Sequence, residues 1–193
     1  MVPIQNKLIL WTGRKHSGKT TSAGNLAQVA RNEGFTVAGL LAPSRYSNGR
    51  LVGFDALDIR DGTRIPLASR KPDGDETERF TFTAAGLKLG SIALSPAATK
   101  SAELIIVDEF GPLELHGKGW RRSVDSLLTS ADALLLLVVR QELSNKVQKL
   151  YVTIPSRQLP ASEPESIGKV IAMLKGRRNC SALSGTEQER REG

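Results

Sequence analysis

At 193 residues, with a formal charge of +7, 39% hydrophobic residues and a single cysteine, the chain fits one compact core and excludes an intramolecular disulfide. Residues 133–139 form the longest apolar run, too short to span a bilayer, and residues 1–7 lack an apolar signal core, so a cytoplasmic protein with no membrane segment is expected. Two histidines and one cysteine cannot build a His/Cys metal cluster, which leaves a phosphate-bound hard cation, Mg²⁺, as the metal to expect.

The chain begins as strand, loop and helix. Residues 7–11 are an apolar run suited to a buried strand, and Ala23, Leu26, Ala27 and Ala30 then recur at helical spacing until Gly34 stops the helix. Residues 36–41 predict a second buried strand, closed by Pro43. Residues 43–68 read as a β-meander, because Asn48-Gly49 and Asp61-Gly62 are hairpin signals between extended segments. Residues 69–78 are polar and predict a mobile loop, followed by a short strand at 79–83 and an irregular helical stretch to residue 100.

From residue 102 the α/β alternation returns. Strands are predicted at 103–107, 133–139 and 149–154, with helices at 119–130 and 141–148. A capping-box spacing at Ser162 and Glu165 opens a last helix carrying Ile167, Val170, Ile171 and Leu174. Periodicity ends after Lys175, so residues 176–193 are expected to be a disordered tail on a single domain spanning 1–175, with 43–83 inserted into it. Strands alternating with helices predict an α/β fold, a mostly parallel sheet with helices on both faces.

The chemistry concentrates at two places. Gly13-Arg14-Lys15-His16-Ser17-Gly18-Lys19-Thr20 fits G-x-x-x-x-G-K-[ST], the Walker A pattern, between a predicted strand and a helix start. Backbone N–H groups in such a loop form an anion nest, and the helix N-terminus adds partial positive charge. Lys19 is then expected on the β- and γ-phosphates, Thr20 on Mg²⁺, and Thr21 in helix packing or on the α-phosphate. The side chains of Arg14, Lys15 and His16 either add cations to the phosphates or face solvent. Residues 1–50 carry seven basic side chains against the single acid Glu33, so the positive surplus gathers in sequence around this loop and calls for a nucleoside triphosphate rather than nucleic acid.

The second place is an apolar run, residues 104–107, ending in Asp108-Glu109, a Walker B pattern. Adjacent strand residues point to opposite faces, so the two acids are expected to divide the work. Asp108 holds Mg²⁺ and Glu109 orients and deprotonates the attacking water. Glu114, Arg121, Arg122 and Arg140 are weaker candidates for a transition-state contact. Hydrolysis of the triphosphate follows, because an acid beside the magnesium aspartate activates water without a second substrate. A small-molecule kinase, with residues 69–79 as its lid, and a nucleotide-dependent switch are the alternatives. Neither preferred base nor oligomeric state is legible.

Three segments resemble the small nucleoside-triphosphatases first known from thermophiles, a family that includes the cancer-related nucleoside-triphosphatase. They are Gly13 to Thr21, Gly49-Arg50-Leu51-Val52-Gly53-Phe54-Asp55, and Val107-Asp108-Glu109-Phe110-Gly111-Pro112-Leu113-Glu114-Leu115. The resemblance implies Mg²⁺-dependent hydrolysis of several nucleoside triphosphates with limited base discrimination. It also implies Glu109 as general base and a RecA-like sheet in which another strand separates the loop strand from the acidic strand. For Arg50, Phe54 and Asp55 it implies either ligand contact or packing of the meander. Arg14-Lys15-His16 departs from the family's Gly-Pro-x-Gly-x-Gly-Lys-Thr loop, and the likeness fades beyond residue 115.

Overall fold

The structure, a computed structural model, describes residues 6–71 and 80–189. One mixed sheet forms its middle layer. Strand β1 (Leu8–Gly13) pairs in parallel with β8 (Leu134–Arg140) on one side and β9 (Ser156–Pro160) on the other. β8 pairs in parallel with β7 (Leu104–Val107), and β7 with β2 (Val37–Leu41). From β2 outward the sheet turns antiparallel through β4 (Arg50–Asp58), β5 (Arg64–Arg70) and β6 (Phe80–Phe82), while β3 (Ser44–Ser47) pairs with β4 alone. The order along the sheet is β6-β5-β4-β2-β7-β8-β1-β9, so β8 lies between the loop strand and the acidic strand.

Burial on both faces explains why the central strands are unbroken apolar runs rather than alternating ones. In β8, Leu135, Leu137 and Val139 pack on one face and Leu134, Leu136 and Val138 on the other. The first face is covered by α2 (Ala84–Ala93) and α5 (Arg121–Ser130), whose Val124, Leu127 and Leu128 share that core with Trp120. The second face is covered by α1 (Lys19–Asn32), through Ala23, Leu26, Ala27 and Ala30, and by α7 (Glu165–Glu189), through Val170, Ile171 and Leu174. Each fully buried leucine contributes about 1.5–3 kcal/mol over an exposed one, so the two faces together fix the three-layer α/β/α arrangement. Shorter helices α3 (Pro96–Thr99), α4 (Pro112–Leu115) and α6 (Ser144–Leu150) complete the chain.

The meander sits where the turn chemistry puts it. Asn48 and Gly49 both take left-handed backbone, φ 48° and 73°, as a two-residue hairpin between Ser47 and Arg50 requires. Two expectations need correction. Residues 149–154 are not a strand; they finish α6 and turn, and the last strand is Ser156–Pro160. Only Leu159 of that strand is buried, because it lies at the sheet edge and has no continuous apolar run to betray it. The closing helix does not stop near Lys175 but runs to Glu189, so residues 176–189 are helical rather than a disordered tail; residues 190–193 lie outside the described residues. Long-range contacts hold the helix past Lys175. Arg177 donates to the Asn6 carbonyl and pairs with Asp132 at 3.1 Å. Arg178 grips Glu103 and the Gly34 carbonyl and lies over the Phe35 ring at 4.1 Å. The expected mobile loop and lid at 69–79 falls mostly outside the described residues. Among those described, no helix is long and apolar enough to cross a membrane.

Candidate functional site

Because β1, β7 and β8 are parallel, their C-terminal residues Gly13, Val107 and Arg140 come to the same edge of the sheet, where open α/β sheets present their ligand crevices. The chain leaves β1 at Gly13 and enters α1 at Lys19. Gly18 stands at the helix start with φ 78° and ψ 17°, and His16 is also left-handed at φ 60°. That geometry turns the loop back on itself, and the Ser17 N–H donates to the Arg14 carbonyl at 3.2 Å. A Cβ on Gly13 would lie 2.6 Å from Ser17 Oγ and 3.1 Å from Lys19 Cγ, so a side chain at position 13 would have to displace the Ser17 hydroxyl and the Lys19 stem.

The side chains of Arg14, Lys15, His16 and Ser17 are exposed, as are Gly18 and Thr21; Lys19 and Thr20 are half-buried. Lys19 Nζ donates to the Arg14 carbonyl at 2.8 Å. Its pKa is lowered, first by loss of solvent; the charges of Glu109 and Asp108 work against that, and those of Arg140 and Glu142 are also felt there. The fold therefore brings together residues from α1, the end of β7 and the end of β8. Glu142, which the sequence did not single out, joins them because a 3-10 turn at Gln141–Leu143 follows β8 directly.

Asp108 is fully buried. Its Oδ2 accepts the Ala42 N–H at 3.0 Å and its Oδ1 accepts the Glu109 N–H at 2.9 Å. Burial, with the neighbouring Glu109 charge, pushes its carboxyl up to about 6, while Ala42 and the nearby Thr20 hydroxyl oppose the shift. Glu109 is exposed and holds φ 59°, a left-handed backbone that costs a non-glycine residue about 1 kcal/mol or more. The two acids do diverge, but the reason is this kink beyond the end of β7 rather than strand alternation.

Other candidates resolve differently. Glu114 is 3% exposed, and accepts the Gly111 N–H at 2.8 Å and the Trp120 N–H at 3.1 Å. It thus ties down the turn after Glu109, and burial raises its pKa. Arg121 pairs with Asp125 at 2.8 Å and lies 5.6 Å from the Tyr151 ring centre, and Arg122 is exposed. In the meander, Asp55 is 6% exposed between Arg64 at 2.7 Å and Arg45 at 3.4 Å. Phe54 packs on Phe80 with ring centres 5.0 Å apart, and Arg50 is exposed. Two open clefts of about 310 and 390 Å³ lie elsewhere, near Thr36 and Ala102 at the start of the strands and between α1 and residues 57–62. Neither contains a residue of the loop or the acidic pair.

A hard dication fits the donors present. Thr20 and Asp108 offer oxygen ligands only, and a fully buried carboxylate with a raised pKa is one that a cation would relieve. Two protein oxygens suit Mg²⁺, which takes the rest of its shell from phosphate and water.

The NTPase family model matches residues 8–158. The chain is 34% identical over 141 residues to the nucleoside-triphosphatase THEP1 of Methanothermobacter thermautotrophicus, covering 73% of this chain and 80% of that protein. The THEP1 of Methanopyrus kandleri is 33% identical over 125 residues, 65% of this chain and 67% of its own length. Among solved structures, the human cancer-related nucleoside triphosphatase overlays with a TM-score of 0.63 at 18% identity, covering 93% of this chain and 98% of that one. THEP1 from Aquifex aeolicus overlays at 0.65 with 17% identity, covering 86% and 98%. At those identities the overlays speak to the fold, which is the P-loop α/β fold expected from the sequence. The match of the family model along most of the chain, together with the archaeal relatives, places this protein in the NTPase family.

Proposed function

We propose that the chain hydrolyses nucleoside triphosphates to the diphosphate and phosphate with Mg²⁺, accepting several bases. The observation that carries this reading is the convergence of the Gly13–Thr20 loop with a buried Asp108 and an exposed Glu109 whose charge bears on Lys19. The loop amides from Gly13 to Thr21 grip the phosphates, and Lys19 leaves the Arg14 carbonyl to meet the β- and γ-phosphate oxygens. Mg²⁺, held by Thr20 and Asp108, would supply neutralisation of the phosphate charge when bound. Glu109 takes a proton from the attacking water as its oxygen bonds to the γ-phosphorus. The bond to the β–γ bridging oxygen breaks, and the charge left on the diphosphate falls to Lys19 and the helix N-terminus.

Broad base tolerance is what the likeness to the family implies; an Asn-Lys-x-Asp guanine signal is missing, since Asn145-Lys146, in α6, is followed by Val147-Gln148. A cytoplasmic setting, with no membrane or nucleic-acid partner, belongs to the same reading.

A phosphate-release assay across ATP, GTP, CTP and UTP, with and without Mg²⁺, tests it. Lys19→Ala should weaken triphosphate binding and turnover together. Glu109→Gln should bind normally and lose about 10²–10⁴-fold in kcat. Wild-type turnover in both variants would remove these role assignments.

A further inference from the structure

Four arginines among the described residues are partly buried: Arg45, Arg121, Arg140 and Arg177. Three of them hold a carboxylate, Arg45 with Asp55 at 3.4 Å, Arg121 with Asp125 at 2.8 Å and Arg177 with Asp132 at 3.1 Å. The Arg140 side chain makes no hydrogen bond or ion pair with any described residue. A guanidinium has five donors in a rigid fork, and taking it partly out of water without a partner is costly. Its position gives the reason.

Arg140 is the last residue of β8, the strand between the loop strand and the acidic strand, and it stands in register with Gly13, the first residue of the phosphate loop. A 3-10 turn follows at Gln141–Leu143, and Ser144 Oγ closes it by donating to the Gln141 carbonyl at 2.8 Å. The guanidinium therefore leaves a rigid element rather than a free loop. It is near enough to Lys19 for the two charges to repel, with Glu109, Asp108 and Glu142 also acting on that lysine. Two cations near enough to repel, one with an unpaired side chain, want an anion between them.

We propose that Arg140 binds the terminal phosphate of the nucleoside triphosphate and stabilises the charge on it during transfer to water, an arginine supplied by the chain itself. This deepens the hydrolase reading and rests on it. The contact is to the terminal phosphoryl group, so it is made with a triphosphate and absent with a diphosphate. Bidentate geometry matters as well as charge, so lysine replaces it only in part.

The test compares wild type, Arg140→Ala, Arg140→Lys and, as a control on an exposed arginine of α5, Arg122→Ala. Binding of ADP and of a non-hydrolysable ATP analogue is measured calorimetrically with Mg²⁺, beside kcat for phosphate release. Arg140→Ala should keep ADP affinity within about threefold, weaken the ATP analogue at least about tenfold, and lower kcat about 10²–10³-fold. Arg140→Lys should recover part of the analogue affinity and little of kcat, and Arg122→Ala should match wild type. Equal loss of ADP and analogue affinity, or kcat within threefold of wild type, overturns the proposal. If the alanine variant fails to fold, the lysine variant carries the same comparison. Wild-type protein that binds the analogue but releases no phosphate would remove the hydrolase reading, while the two affinities still decide whether Arg140 meets the terminal phosphate.

Discussion

The Ala42 backbone N–H donates to Asp108 Oδ2 at 3.0 Å, so the residue just past β2 holds the buried acid just past β7. With the Glu109 N–H on its other oxygen, both carboxylate oxygens are fixed by main-chain groups. Asp108→Asn keeps the shape but sets an amide NH₂ against one of those N–H donors and removes the charge. Mg²⁺-stimulated phosphate release should fall at least about 100-fold, with a higher Mg²⁺ requirement in a titration of the residual rate.

At the loop, steric room rather than charge decides. Gly13→Ala puts a methyl where Ser17 Oγ and the Lys19 stem already lie. Nucleotide affinity should drop by at least about tenfold, following an expected overpacking cost of about 1–3 kcal/mol. Isothermal titration with ADP measures it without turnover.

Glu114 is a structural acid close to a proposed catalytic one. Glu114→Ala leaves the Gly111 and Trp120 N–H groups without their acceptor, at about 1–3 kcal/mol each. Urea denaturation should show a loss of several kcal/mol, and Glu114→Gln, which keeps one acceptor oxygen, should recover part of it.

Two helical glycines should respond oppositely to alanine. At Gly90 in α2 a Cβ would meet Trp120 Cη2 at 2.3 Å, whereas at Gly176 in α7 it would meet nothing within 4 Å. Gly90→Ala should lower the melting temperature despite better helix propensity, because overpacking costs about 1–3 kcal/mol against a propensity gain of about 1. Gly176→Ala should raise it, by up to about 1 kcal/mol of stability.

The anchor of the last helix should depend on pH. Hydrogen bonds from Arg178, with help from Thr36, bring the Glu103 carboxyl from 4.5 down to about 2. Since the folded pKa is depressed, this contribution is fully present above pH 4.5 and is lost as pH falls through 4.5 toward 2. The pair is partly solvated, so Glu103→Gln should cost on the order of 1 kcal/mol at pH 7 rather than the full shift. The gap between the two proteins in urea melts should narrow at pH 3.

Sequence alone settled what depends on local backbone demands and on burial of short runs. The strand–loop–helix turn from Gly13 to Lys19 was legible because a buried apolar run leads into it and a glycine takes the left-handed backbone at the helix start, Gly18. The hairpin at Asn48-Gly49 was legible because few residues accept two successive left-handed conformations. Tertiary structure decided what depends on partners distant in the chain. Leu159 is the one buried residue of edge strand β9, so no pattern announced it. The run of α7 past Lys175 is anchored by Arg178 reaching Glu103, 75 residues away, and periodicity carries no trace of that pair. Asp108 is held by the backbone N–H of Ala42, just past β2, and Arg140 stands in register with Gly13 only because β8 lies between β7 and β1. Strand order is a property of how two apolar faces close around one sheet, and it is this closure, absent from any local stretch of residues, that gathers the site.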